Sequence, residues 1–416
     1  MFRSIIRFIR YNFNRIICFS RIMKSIDNNE TKKPLLRFGV IADVQYADND
    51  DKQAWYNPTK TRFYRNSLKQ VRKAFEYWES FGRSNDDVND NNDDNVNDHC
   101  PISFILQLGD IIDALSKTKC SHSAIDRTLN CFLDNTKMPT FHTVGNHELY
   151  NFNRSELCHL FDKYLFHHNV HENLNILHPK EMNDSKTLFY RFKPRPGIKF
   201  ISLDTYDISV LGYDRNHPKY QIAANILRSY HHCDDLNVWD SDKNLKNDMD
   251  KRFQSSNGGL SFEQLQWLDN ELIESDLLNE MVIVFGHVGL HPKSCGWDSI
   301  LWNYDQVIDC FNQHNSVIAY FNGHAHNSGY TYDNNIHYIV LHGIIETPPD
   351  NEAFTTVTIY NDHMLIDGMG VEQKILATYH KQFDFEQNNH SIHRMSISSN
   401  IDEMDIPTSN TIKIQV

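Results

Sequence analysis

Nothing in this 416-residue chain groups its cysteines: the eight lie at Cys18, Cys100, Cys120, Cys131, Cys158, Cys233, Cys295 and Cys310, with no CxxC pair and no compact spacing. That excludes a sulfur-based zinc framework. In a chain of this length it fits reduced thiols in an intracellular compartment better than extracellular disulfides. A basic excess is missing too. With 41 Lys and Arg against 54 Asp and Glu, the formal net charge is -13, which argues against a general nucleic-acid binder, since such proteins need a basic face to release counterions. Phosphate chemistry in such a chain must draw on local cations, and metal ions can supply them by reversing the field of an acidic pocket. The apolar stretches of the N-terminus are too broken to span a bilayer, and no repeat of fixed period is visible.

What the N-terminus does carry is positive charge: Arg3, Arg7, Arg10, Arg15, Arg21 and Lys24 precede the first acidic residue, Asp27. A basic, amphipathic leader over 1–34, acid-free up to Asp27, fits a mitochondrial transit peptide or a surface-bound helix; translation starting at Met23 accounts for it equally well. A cytoplasmic setting is the expectation, and a mitochondrial one follows if the leader is real. Residues 84–98 are low-complexity Asn and Asp with almost nothing to bury, which predicts a disordered surface insertion. They lack the spacing and glycine of a calcium loop. Residues 35–372 read as one catalytic domain, and 373–416 as a tail without strand or helix periodicity. The polar stretch from His231 to Asn257 is not expected to carry chemistry.

Within the domain, short apolar runs alternate with helical or polar stretches, the pattern of a layered α/β or α+β architecture. Strands are expected at 37–42, 102–108, 140–144, 199–203, 281–285, 317–321, 337–341, 355–360 and 364–367. A helix from about Arg62 to Ser80 follows from Tyr64, Leu68, Val71, Phe75 and Trp78 recurring on one face. Most of the earlier strands end in a side chain suited to metal: Asp43 and Gln45, then Asp110, then Asn146 and His147, later His287, then His324 and His326. Ligands at the ends of separate strands converge on one loop-built site. Oxygen and imidazole donors without sulfur favour manganese, magnesium, iron or zinc. Two cations close together need a shared anion, and Asp110 is the natural bridge. Each signal alone is weak, because Gly-Asp pairs are common in turns and a lone histidine usually packs or sits on a surface. The ordered set DVQ, GDIID, GNHE, GH and GHAH is specific because each ligand follows a strand, most of them beside a glycine.

This ordered set resembles the calcineurin-like metallophosphoesterase superfamily over roughly Leu36 to Gly370. Gln45 stands where most of that superfamily has histidine, and a neutral amide oxygen biases the first site toward manganese or magnesium. With the blocks FGVIADVQYAD, RFYRNSL, LQLGDIID, NGG, QLQWLD, WNY and IETPP, the chain is similar to the manganese-dependent ADP-ribose/CDP-alcohol diphosphatases. The resemblance implies a four-layer αββα sandwich of the α+β class. It implies two divalent cations, Mn2+ or Mg2+, and cleavage of ADP-ribose, CDP-choline or CDP-glycerol between the phosphates to a nucleoside monophosphate and a phosphorylated partner. It places Asp43, Gln45, Asp110 and His326 around one metal, and Asp110, Asn146, His287 and His324 around the other.

His147 can then stand at the phosphate without binding metal, stabilising the transition state or protonating the leaving oxygen. Asp113 can orient His147 by fixing its tautomer, or it can simply cap the next helix; the GDxxD and GNH pairing favours the first. Glu148 is expected just behind the ligands. Tyr46, Tyr150, Trp302 and Tyr304 are candidates for an aromatic wall against the base, and core packing explains each as well. Arg62 and Arg65 can reach the second phosphate through forked hydrogen bonds or lie as surface charges. The partner implied is a small nucleotide diphosphate derivative. The competing readings are a phosphomonoesterase, protein phosphatase or cyclic-nucleotide phosphodiesterase on the same scaffold, and a non-catalytic scaffold. Retention of every ligand type and of His147 speaks against the last. Oligomeric state is not readable from sequence.

Overall fold

The computed structural model describes residues 33–81, 100–135, 138–165, 188–379, 381 and 383. The leader, the 84–98 insertion and most of the tail lie outside the described residues. Two six-stranded sheets face each other. The first has the order β14-β13-β12-β1-β4-β5, from Lys374–Thr378, His363–Gly370, Ala353–Ile359, Leu36–Ile41, Ile105–Gln107 and Thr140–His142. The second has the order β10-β11-β9-β8-β7-β6, from Gly329–Asp333, Ile336–Val340, Val317–Asn322, Met281–Phe285, Ile198–Ser202 and Tyr190–Arg195. A separate hairpin pairs β2 (Lys52–Ala54) with β3 (Asn57–Arg62).

Strands β1, β4 and β5 run parallel, as do β7, β8, β9 and β11. Their residues are buried on both faces, as parallel strands covered on each side must be. β1 and β8 have no exposed position. Between the sheets lies a phenylalanine-rich layer: Phe38 meets Phe200 edge-on at 5.2 Å, and Phe104 meets Phe192 and Phe200 at 5.2 and 5.1 Å. Such T-shaped pairs set positive ring edges against negative ring faces.

Helices cover the outer faces, completing the αββα sandwich. On the first sheet, α1 (Ser67–Ser80) lays down Val71, Phe75 and Trp78. The Trp78 indole donates to Thr356 Oγ1 at 3.1 Å and packs on Phe354. α2 (Ser121–Asn135), α3 (Asn146–Asn151) and α4 (Arg154–Leu165) follow β4 and β5. Later come α5 (Pro218–His231), α6 (Phe262–Leu277) and α7 (Tyr304–Asn312). α6 and α7 turn Leu268, Leu272, Val307 and Phe311 inward. No described helix is long and apolar enough to cross a membrane.

Two expectations need correction. The helix expected from Arg62 starts at Ser67, because Arg62 ends β3 and three turn residues intervene. The expected tail boundary at 372 also cuts off a strand: β14 pairs with β13 from His363↔Thr378 to Asp367↔Lys374 and buries Ile375 and Ala377. Five residues burying only two apolar side chains give too short an alternation to stand out in sequence.

Candidate metal centre

The parallel strands of both sheets end on one side of the sandwich. β1, β4 and β5 lead to Asp43, Asp110 and Asn146, while β8 and β9 lead to His287, His324 and His326. These turns are strained. Asp43, Gln45, Asp110, His324 and His326 all have positive φ, between 42° and 67°. That region costs a side chain of this kind about 1–3 kcal/mol and persists where the surroundings force it, most often at functional sites. Glycines allow the turns to close: Gly109 has φ 89°, and a Cβ on Gly145 would meet Asp110 Oδ1 at 2.0 Å.

Each histidine is oriented by the nitrogen that faces away. His287 Nδ1 donates to the Leu108 carbonyl at 2.7 Å, and His326 Nδ1 donates to Glu346 Oε1 at 2.9 Å. His324 Nε2 donates to Asn257 Oδ1 at 2.7 Å, and the Asn257 amide is fixed because its Nδ2 donates to the carbonyls of Arg252 and Asp298. Outer hydrogen bonds of this kind set the tautomer of a ligating imidazole. The inward nitrogens therefore face the other candidate ligands. His287 Nε2 lies 3.2 Å from Asn146 Oδ1, 3.2 Å from His324 Nδ1 and 3.5 Å from Asp110 Oδ2. His326 Nε2 lies 3.2 Å from Asp43 Oδ1, and oxygens of Asp43 and Asp110 with a His326 nitrogen fall within 4.8 Å of one another.

Buried carboxylates dominate the field. Asp43, Asp110, Asp113, Glu148 and Glu346 are all buried around the centre, with Arg62 and Lys60 as the cations in contact. Burial opposes charge on Asp110, but His287 and His147 beside it hold its carboxyl well below the usual range. Burial likewise opposes a charged His287, yet Asp110 and Asp43 outweigh it and lift that imidazole to about 9. His324 is pushed down to about 3, by burial first and then by His287. Oxygen and imidazole donors gathered among buried carboxylates are what divalent cations require,. The donor chemistry fits two of them.

Gln45 sits in this ring in an unexpected orientation. Its Nε2 donates to Asp110 Oδ2 at 2.8 Å and contacts His326 Nε2 at 2.9 Å, while its Oε1 accepts from Arg62. As placed it is a donor, and an oxygen ligand at this position requires the amide to turn over. Asp113 also differs from the favoured expectation. It is the N-cap of the short helix Ala114–Thr118, accepting from Leu115 N–H at 2.8 Å, and it pairs with Arg62 at 3.1 Å. His147 Nδ1 instead accepts the Ala114 N–H at 2.9 Å, with Asp113 Oδ2 at 3.4 Å. This leaves a proton for Nε2, the atom that faces Asp110 at 3.8 Å. Capping has won over direct orientation, because the carboxylate oxygens are already taken.

Glu148 ties the loops together by accepting from the backbone N–H of Asp110, Ile111, Ile112 and Gly145. Burial and then Asp110 push its carboxyl up to about 7.

The expected aromatic wall is only partly there. Tyr150 packs on His147 at 5.4 Å. Tyr46 and Trp302 are core residues: Tyr46 accepts from Arg127, and Trp302 donates to the Gln254 carbonyl. Tyr304 stands against Trp297 and under Arg252. Arg65 is a surface residue paired with Asp48 and Asp50, whereas Arg62 is buried at the centre. Sequence reasoning missed the β2–β3 turn, where Trp55 and Tyr56 are 82% and 46% exposed and Tyr56 Oη bonds Glu346 and reaches His326 Nδ1 at 3.4 Å. It missed Lys60, whose Nζ bridges Glu346 at 2.7 Å and Asn327 at 3.0 Å. It also missed Tyr206, which donates to Asn146 Oδ1 at 3.1 Å. Asn257, at the end of a stretch not expected to carry chemistry, orients His324; the polarity of its neighbours hid it, although the NGG block pointed there.

The family model for calcineurin-like phosphoesterases matches residues 36–328. A manganese-dependent ADP-ribose/CDP-alcohol diphosphatase of Homo sapiens is 36% identical over 363 residues, covering 86% of this chain and 96% of the relative. Its counterpart in Bos taurus is 35% identical over 359 residues, covering 85% and 97%. The crystal structure of a dimetal phosphatase from Danio rerio superposes with a TM-score of 0.69 at 32% identity, over 83% of this chain and 99% of that one.

Proposed function

Because the chain belongs to the calcineurin-like phosphoesterase family, we propose that it is a metal-dependent hydrolase. Its reaction is cleavage of the diphosphate bond of ADP-ribose and of CDP-alcohols such as CDP-choline and CDP-glycerol. The products are a nucleoside monophosphate and a phosphorylated partner. The observation that carries this reading is the ring of inward-facing imidazole, carboxylate and amide acceptors at the strand ends of both sheets, together with relatives of that activity matched along almost their whole length.

Asp43, Asp110 and His326 would hold one cation, with Gln45 beside them, and Asp110, Asn146, His287 and His324 the other. Mn2+ is the expected metal, as the names of the relatives have it. When bound, such a pair supplies charge neutralisation at the phosphoryl oxygens and acidifies water into a nucleophile. The protein's own part is to place and protonate. His147, whose Nδ1 accepts the Ala114 N–H, offers an Nε2 proton to the leaving phosphate oxygen,. Lys60 donates to Glu346 Oε2, while Glu346 Oε1 meets the His326 Nδ1 that it orients. Trp55 and Tyr56 offer an exposed aromatic surface beside His326 on which a base can stack,. The free thiols of Cys120, Cys233, Cys295 and Cys310 support an intracellular setting,.

The test is hydrolysis of ADP-ribose, CDP-choline and p-nitrophenyl phosphate by the purified chain with manganese, with magnesium and with chelator. Manganese-dependent release of AMP or CMP is expected. Cleavage of the monoester alone would overturn the substrate assignment while keeping the metal centre, and no turnover with bound metal would overturn both substrates.

A further inference from the structure

A second group of metal-type donors stands away from the ligand set just described. Asp269 on α6, Cys310 on α7 and His314 two residues past α7 present a carboxylate oxygen, a thiol sulfur and an imidazole nitrogen within 4.8 Å of one another. His314 Nε2 lies 2.9 Å from Asp269 Oδ1, and Cys310 Sγ lies 3.9 Å from that same oxygen. On its other side, His314 Nδ1 lies 2.8 Å from Asp276 Oδ2, and Asp276 is anchored by the Ser316 N–H at 2.8 Å. Nδ1 thus donates to a held carboxylate, the arrangement that orients and strengthens a ligating imidazole. That turns Nε2 toward Asp269 and Cys310. Cys310 is buried and the His314 side chain is 7% exposed, whereas the Asp269 side chain is 45% exposed, which leaves an approach from solvent.

We propose that Asp269, Cys310 and His314 bind a Zn2+ ion, with water completing the coordination. One imidazole, one thiolate and one carboxylate are all donors zinc accepts, and the sulfur disfavours manganese and magnesium, so the site is chemically distinct from the sulfur-free centre. The separations of 2.9 and 3.9 Å bracket the roughly 3.3–3.7 Å edges of a tetrahedron built from zinc–ligand bonds of about 2.0–2.3 Å,. Binding releases to solvent the Cys310 thiol proton and the proton held between His314 Nε2 and Asp269 Oδ1,. In exchange Asp269 gives up its contacts to the imidazole and thiol for the ion. The ion would staple α6 to the end of α7, which leads directly into β9 and so to His324 and His326. The arrangement that competes with it is a metal-free ion pair of a protonated His314 with the two aspartates.

Cobalt distinguishes them, because only a thiolate ligand gives a sulfur-to-cobalt charge-transfer band and the dinuclear centre has no sulfur. The full-length protein, kept reduced, is stripped with chelator, reloaded with Mn2+ and titrated with Co2+. A charge-transfer band saturating at one ion per chain and displaced by Zn2+ is expected. Cys310→Ser should abolish the band while leaving manganese-dependent hydrolysis unchanged, and Asp276→Asn should weaken Zn2+ about 10- to 100-fold. Absence of the band at saturating cobalt, or its survival in Cys310→Ser, would overturn the proposal. The diphosphatase assay reads independently of both.

Discussion

Asp110 has both carboxylate oxygens committed: Oδ1 accepts the His147 N–H at 2.9 Å, and Oδ2 accepts the Gln45 amide and faces His287. Asp110→Ala should therefore lower kcat/KM by roughly a thousandfold or more, since it removes a ligand from both sides of the centre and a charge from its middle. Metal analysis of the same variant should show loss of bound manganese, and full turnover would contradict the shared-ligand assignment. His147→Ala is expected to behave differently. It should reduce kcat about 100- to 10,000-fold, the range for a positioned acid, with metal content unchanged. These roles were legible because each ligand follows a strand and most neighbour a glycine. The substrate-facing side chains were not. Nearness in sequence does not give direction: adjacent residues leave the backbone on different sides, so Gln45 turns to the centre and Tyr46 to the core. Arg62 and Arg65 part in the same way, one buried and one on the surface.

At the scale of elements, the contact between α1 and β1 tests the packing directly. A Cβ on Gly39 would lie 2.6 Å from the Trp78 ring, which is itself held by Thr356. Gly39→Ala should destabilise the fold by about 1–3 kcal/mol, the usual cost of overpacking, read as a lower urea midpoint with unchanged slope. Gly39→Ala combined with Trp78→Phe should recover part of the loss. The apolar parallel strands announced themselves by composition. The β2–β3 hairpin did not, because Asn57–Arg62 carries a proline, a lysine and two threonines and exposes part of its length. The helical spacing of Tyr64 to Trp78 continued backwards past the true start, and only the turn at Tyr64–Asn66 marks the break.

The whole molecule should weaken in mild acid for a reason outside the metal centre. Burial pushes His142 down to about 3, against about 6.5 for an exposed histidine. Between those values the unfolded chain takes up a proton that the folded one refuses. The stability from a neutral His142 is thus complete above pH 6.5 and is lost as pH falls toward 3. At pH 5 the loss is about 2 kcal/mol. His142→Asn keeps a donor toward Gln107 Oε1, which lies 3.2 Å from His142 Nδ1, and removes the titration. Urea midpoints of metal-stripped protein at pH 7 and pH 5 should then converge by about that amount, and parallel curves would clear His142 of the effect.

The register Leu36↔Ile359 has a consequence for synthesis. β1 is among the first described elements to be made, and its antiparallel partner β12 is separated from it by over three hundred residues. A ribosome releases the chain from its N-terminus, so one edge of β1 waits unpaired until nearly the whole message has been read. His287, His324 and His326 also arrive late. The nascent polypeptide therefore carries an open, apolar strand edge, the kind that invites mispairing; no product ending before Ala353 can close that edge, and none ending before His326 can assemble the ligand ring. Loading with metal is therefore a late event in making this protein, and it reports that translation has passed His326.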